Sequence, residues 1–190
     1  GPDGYVHIPD GLNNEMVEYM LELRASNQDI VKPFSYEFPE AQFHENKHPW
    51  EVKMDVAIPC ATQNELNEED AEILVKNGCM CVAEGANMPS TPEAVEVLSE
   101  HKVLFGPGKA VNAGGVATSG LEMTQNSMKL NWSREEVDEK LQKIMKDIHD
   151  QCVKHGTEED GHINYVKGAN VAGFLKVANA MLEQIGRAHV

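Results

Sequence analysis

The chain has 190 residues, with 16 Lys and Arg against 31 Asp and Glu, a formal charge of −15 at pH 7. That length suffices for one domain with a real core. The negative charge argues against nucleic acid or an anionic membrane as partner, because phosphates would be repelled. No apolar run reaches the length of a membrane span and no secretory leader pattern opens the chain, so the expectation is a soluble, cytoplasmic protein.

Leu12 to Ala25 reads as a helix, with Leu12, Met16, Tyr19, Met20 and Leu23 at helical spacing. Residues 27 to 53 read as irregular, broken by Pro33, Pro39 and Pro49. DVAIPCA then has the length and apolarity of a strand. Asn67 to Lys76 reads as a helix capped by Asn67, with Gly78 just past its end. CMCVAEG is a second strand, and TPEAVEVLSEH a helix with Thr91 as N-cap and Pro92 in its first position. KVLFGPG is a third strand, followed by a helix over roughly 116–130. Ser133 and Glu136 form a capping box for a helix to His155, ended by Gly156, with Val137, Leu141, Ile144 and Ile148 as its buried stripe. A last helix is expected from about Asn170 to Gln184. Strands alternating with helices predict an α/β fold whose parallel sheet is covered on both faces.

Four cysteines (Cys60, Cys79, Cys81, Cys152) lie in apolar or helical stretches, and the expectation is that they are reduced and mostly buried. Cys79-x-Cys81 is too short for the usual zinc spacing, and the eight histidines form no ligand pattern, so no metal site is read.

In open parallel sheets, ligands bind beyond the carboxyl ends of the strands. The three strands lead into PCATQNE (59–65), EGANMPST (84–91) and GPGKAVNAGG (106–115), each with one asparagine: Asn64, Asn87 and Asn112. An amide side chain both donates and accepts, which suits a carboxamide, a sugar hydroxyl or a carboxylate. Asparagines also serve loops by tolerating left-handed backbone; three at successive strand ends favour a binding crevice. The glycine-rich third loop is neither a Walker loop, lacking Gly-Lys-Ser/Thr, nor G-x-G-x-x-G. It leads into a helix start near Ala113 that favours an anion, with Ser119 one turn beyond Gly115. Lys109 reads either as the cation there or as a solvated loop lysine.

PCATQNEL, VAEGANMPSTPEA, KAVNAGGVATSGLEMTQNS and NYVKGANVAGFLKVANAM together resemble the cofactor domain of the hexameric glutamate dehydrogenases, from GPDGY to about Glu183. The resemblance implies an incomplete Rossmann-like, doubly wound parallel sheet followed by C-terminal helices. It implies reversible oxidative deamination of L-glutamate to 2-oxoglutarate and ammonia, with NAD or NADP as hydride carrier, in a homohexamer. By similarity, Asn87 and Asn112 contact the nicotinamide ribose and carboxamide, and Ala61 lines the cofactor cleft. Val116 packs on the substrate side chain and Ser119 binds its distal carboxylate. Pro2 and Asp3 would line the adenosine ribose pocket. Some NADP-preferring members carry Asp-Ser at the positions of Gly1 and Pro2, whereas GPDG resembles NAD-type members.

The resemblance also implies a catalytic lysine and aspartate in a substrate domain, and a dinucleotide fingerprint upstream. No residue of this chain corresponds to them, so no catalytic residue is assigned. The expected organisation is residues 1–184 as cofactor-domain sequence with its trailing helices, the substrate domain absent, and 185–190 (IGRAHV) as a non-native tail encodable by a sequencing adapter. The expected consequence is a chain inactive on glutamate by itself. Two other readings stand beside this one. One is a non-catalytic nucleotide-binding or assembly module. The other is a dehydrogenase for leucine, phenylalanine or valine, which would need an apolar pocket where Ser119 offers a hydroxyl.

Overall fold

A computed structural model describes residues 1–27 and 29–187, with the backbone alone at 186 and 187. The chain divides into two compact units, Gly1–Val52 and Lys53–Val190.

In the first unit, β1 (Gly4–His7) pairs antiparallel with β2 (Gln42–Glu45), Tyr5 opposite His44 and Val6 opposite Phe43. Helix α1 (Asn14–Ala25) begins two residues later than its apolar spacing predicts, because Asn13 caps it by accepting the Met16 N–H at 2.9 Å. Between α1 and β2 lies the one-turn helix α2 (Phe34–Glu37). Residues 27–53 are therefore not irregular throughout. Their elements, α2, β2 and a 3-10 turn at Pro49–Glu51, are three or four residues each, too short for a period to show. Met16, Phe34, Phe38 and Ala41 form the core, with Val6, Ile8, Tyr19 and Met20 packed on it. Its rings meet tilted or edge to face, Phe34 to Phe38 at 4.7 Å and Tyr19 to Phe38 at 5.6 Å.

The second unit carries the parallel sheet, in the order β3 (Val56–Ala57), β4 (Cys81–Ala83), β5 (Leu104–Gly106). Val56, Cys81 and Leu104 are in register, as are Ala57, Val82 and Phe105. Helices α3 (Glu68–Lys76) and α4 (Pro92–Glu100) link the strands, capped as their sequences predict: Asn67 accepts from Asp70 N–H at 3.0 Å and Thr91 from Ala94 N–H at 3.3 Å. Leu66, Leu74, Val82 and Leu98 are completely or almost completely buried, each stabilising the unit by about 1.5–3 kcal/mol.

After β5 come α5 (Gly108–Val111), α6 (Ala113–Met128), α7 (Arg134–Gly156) and α8 (Tyr165–Arg187). Helix α6 starts a turn earlier than the expected 116, and its end is fixed by Lys129, which takes left-handed backbone at φ 54°. The Ser133–Glu136 capping box forms on α7, with bonds of 3.2 and 2.7 Å. Gly156 is the last residue of α7, one position beyond the expected His155, with Thr157 as C-cap, and the fully buried positions of the helix are Cys152 and Gly156. The expected stripe of Val137, Leu141, Ile144 and Ile148 is half-buried. Helix α8 starts at Tyr165 rather than Asn170, because Asn164 Oδ1 accepts the Lys167 N–H at 2.9 Å in the manner of a cap. Gly168 lies in its first turns, where a Cβ would strike the Cys152 carbonyl of α7; absence of a side chain is what lets the two helices close. Helix α8 runs past the expected boundary at 184, and residues 188–190 of the expected tail lie outside the described residues.

All four cysteines are free. Cys79 and Cys152 are buried as expected, but Cys60 is exposed, because it lies in the loop beyond β3 and not in the strand. Burial pushes the Cys81 and Cys152 thiols up, away from the reactive thiolate. No helix among the described residues is long and apolar enough to cross a membrane, and no group of His, Cys, Asp or Glu among them could hold a metal ion.

Candidate cofactor and substrate site

Because β3, β4 and β5 are parallel, their following loops emerge at one end of the sheet. Backbone bonds join the first two loops. The Pro59 carbonyl accepts the N–H groups of Gly85 and Ala86 at 2.9 and 3.2 Å, and Asn64 N–H donates to the Met88 carbonyl at 3.0 Å. Leu66 and Ser90 then form a parallel bridge. Asn64 has φ 56°, so here the asparagine does serve a left-handed turn, and its neighbour across the loop, Met88, has φ 52°. Left-handed backbone is uncommon for a residue such as Met.

The second and third loops are joined by side chains. Asn112 is the one residue between α5 and α6, with ordinary φ of −88°. Its Nδ2 donates to the Ala86 carbonyl at 3.1 Å and to Asn87 Oδ1 at 2.7 Å. Both donors of that amide are thereby engaged, which orients Asn112 Oδ1 as an acceptor and Asn87 Nδ2 as a donor. A carboxamide or a pair of hydroxyls could match that set. Glu84, 6 % exposed, accepts from Gly108 N–H at 2.7 Å and from Ser90 N–H at 3.3 Å. The Ser90 hydroxyl is itself buried without a partner. Gly108 is required by packing, since a Cβ there would lie 2.8 Å from the Ala86 carbonyl oxygen.

Val116 and Ser119 follow Asn112 at i+4 and i+7, a spacing that sets the three along one side of the helix start; both are exposed, Val116 at 73 %. Ala61 is exposed in the first loop, its N–H donating to Glu65 Oε1 at 2.8 Å. Lys109 does not stand alone in solvent: its Nζ bonds Asn170 Oδ1 of α8. The structure thus brings Asn87 and Asn112 into direct contact. Pro2 and Asp3 belong to the first unit, where Asp3 accepts from Val31 and Lys32 N–H at 2.9 Å each. Sequence reasoning missed Glu84; its one signal is an acid directly after an apolar strand.

A concavity of about 750 Å³ lies elsewhere, between α4 and residues 162–171. Size alone would favour it, but none of the strand-end asparagines lines it, and donors and acceptors that converge are better grounds for a site than volume.

A parallel sheet with helices between its strands and amide-bearing loops at its carboxyl end defines an open α/β fold of the class that binds ligands at that end. Residues 1–184 match the family model for Glutamate/Leucine/Phenylalanine/Valine dehydrogenase, and the chain belongs to that family. It is 64% identical over 184 residues to an NAD-specific glutamate dehydrogenase of Bacteroides fragilis, covering 97% of this chain and 41% of that protein. It is 56% identical over 182 residues to an NADP-specific glutamate dehydrogenase of Haemophilus influenzae, covering 95% and 40%. Among solved structures, the glutamate dehydrogenase of Plasmodium falciparum superposes with a TM-score of 0.92 at 42% identity, over 97% of this chain and 40% of that one. The chain spans about two fifths of the length of the relatives it matches.

Proposed function

We propose that this chain supplies the nicotinamide-binding and part of the substrate-binding surface of an NAD(P)-dependent glutamate dehydrogenase. The full-length protein would interconvert L-glutamate with 2-oxoglutarate and ammonia. The observation that carries this reading is the Asn112–Asn87 bond at the joined strand-end loops, with Val116 and Ser119 following on the same helix. The donor and acceptor left on that pair fit the carboxamide and ribose of a nicotinamide nucleotide. When bound, that cofactor supplies the hydride acceptor.

The chain's own residues bind and orient. Asn87 and Asn112 hold the nicotinamide ribose and carboxamide, and Ala61 borders the cleft. Val116 packs against the aliphatic part of glutamate, and the Ser119 hydroxyl donates to its distal carboxylate. That hydroxyl favours an acidic substrate over leucine, phenylalanine or valine. Pro2 and Asp3 line the adenosine ribose. The lysine and aspartate of proton transfer belong to the substrate domain of the full-length protein. Higher identity to an NAD-specific than to an NADP-specific relative supports NAD as the preferred cofactor. A cytoplasmic homohexamer completes the proposal, supported by the acidic composition and the resemblance to hexameric members.

Titration calorimetry with NAD tests this reading. Asn112→Ala should weaken NAD binding about tenfold, equivalent to ~1.4 kcal/mol, and the chain alone should form no NADH from glutamate. Unchanged affinity in Asn112→Ala, or turnover by the isolated chain, would overturn it.

A further inference from the structure

We propose that Glu84 is the positioning residue of this site: its carboxylate fixes the spacing of the second and third strand-end loops and so brings Asn87 and Asn112 together. The use of that pair for a nicotinamide rests on the function proposed above; the positioning itself does not.

Glu84 directly follows β4, and its own N–H donates to the Gly106 carbonyl at 3.0 Å, extending the ladder to β5. From there the side chain turns inward and is 6 % exposed. A buried carboxylate needs partners, because desolvation of a charge is severe. Its partners are backbone donors: Oε1 accepts from Ser90 at the end of the second loop, and Oε2 from Gly108 at the start of α5. The 2.7 Å bond to Gly108 has the length of a charge-assisted one. The connection then runs on through Gly108. Its carbonyl accepts the Asn112 N–H at 2.9 Å, and its Cα face lies against the Ala86 carbonyl, the same oxygen to which Asn112 Nδ2 donates. Glu84 is thus two hydrogen bonds from the Asn112 backbone, and it holds the far end of the loop that carries Asn87. Hydrophobic filling would not explain this choice of residue. An apolar side chain of that size would leave the Gly108 and Ser90 donors without an acceptor.

Both partners donate, so an amide cannot replace the carboxylate: in Glu84→Gln one donor must face an NH₂ group. The experiment is ¹H–¹⁵N NMR of the 190-residue chain, with amide exchange, for wild type, Glu84→Gln, Glu84→Asp and Leu74→Ala. The last removes buried side-chain volume from α3, remote in sequence from these loops, and controls for lost stability. Glu84→Gln should shift the Asn112 side-chain NH₂ and lower protection of the Gly108 or Ser90 amide at least tenfold, and NAD affinity should fall about tenfold. Glu84→Asp, which keeps the charge on a shorter stem, should fall between. Wild-type Asn112 and Gly108 signals in Glu84→Gln would overturn the proposal, as would equal displacement in Leu74→Ala. Failure of both Glu84 variants to fold would reduce Glu84 to a folding residue and also overturn it. Displaced Asn112 signals together with no NAD binding by the wild-type chain would uphold the positioning and defeat the proposed function.

Discussion

Each of the two units uses one carboxylate to gather backbone N–H groups from a distant segment, and the two carboxylates differ in consequence. Asp3 is partly exposed and ties Val31 and Lys32 to the start of the β1–β2 ladder. Glu84 is buried and ties two loops that emerge beside each other from a parallel sheet. The same bonding pattern therefore supports shape in one unit and a row of donors and acceptors in the other. What decides is location: the Glu84 clamp joins two loops at strand carboxyl ends, where open parallel sheets bind ligands, whereas the Asp3 clamp joins the start of β1 to a segment of its own unit.

Substitutions can separate these roles, and the largest effect should come from neither clamp. Phe34 is completely buried beneath the first unit's aromatic cluster. Phe34→Ala should lower that unit's stability by about 3–5 kcal/mol, read from the buried Trp50 during urea unfolding. A loss below ~1 kcal/mol would mean the core is not where these rings meet.

Gly108→Ala comes next, at about 1–3 kcal/mol, since its Cβ would press on the Ala86 carbonyl and approach Glu84 Oε2 to 3.4 Å. Denaturant unfolding followed by circular dichroism measures it. A neutral outcome would show that the loops yield readily, and the contrast between the two clamps would weaken.

Acid should act on Asp3. Burial raises its carboxyl, but N–H groups of Val31 and Lys32 more than offset this and hold it below its ordinary 3.8. A folded value below the unfolded one gives stability that is present above the unfolded pKa and lost as pH falls through the folded one. Melting followed at Trp50 from pH 5 to 2 should therefore show an acid-induced loss below about pH 4 that Asp3→Asn lacks. The same slope in both proteins would remove Asp3 from the account.

Ser90→Ala should do least. The hydroxyl is buried without a partner, so its removal should change stability by no more than about 1 kcal/mol and in the favourable direction. A larger loss in thermal melting would reveal a bond to the hydroxyl that the described contacts lack.

How much of this was legible in the sequence depends on the range of each interaction. Caps act over three residues, so Asn67, Thr91 and Ser133 could be read directly, and the structure bears out all three. Strands bounded by glycine and proline were visible, though shorter than read: DVAIPCA contributes only Val56 and Ala57. Strands β1 and β2 escaped because their pairing joins residues some forty positions apart and neither has a long alternation. The loop asparagines could be singled out by their place after three apolar runs. That Asn64 serves its own backbone while Asn87 and Asn112 bond each other could not, since φ and loop contact are tertiary properties. Glu84 was hidden for a related reason: its partners are backbone groups, which carry no letter in the sequence.

The central claim is that the Asn87–Asn112 pair receives the nicotinamide, and a ¹H–¹⁵N NMR titration of the chain with NAD tests it most directly. The account predicts saturable shifts of both side-chain amides and of the Ala61 amide, reduced together in Asn112→Ala. Shifts confined to other residues, or none at these three at saturating NAD, would contradict it.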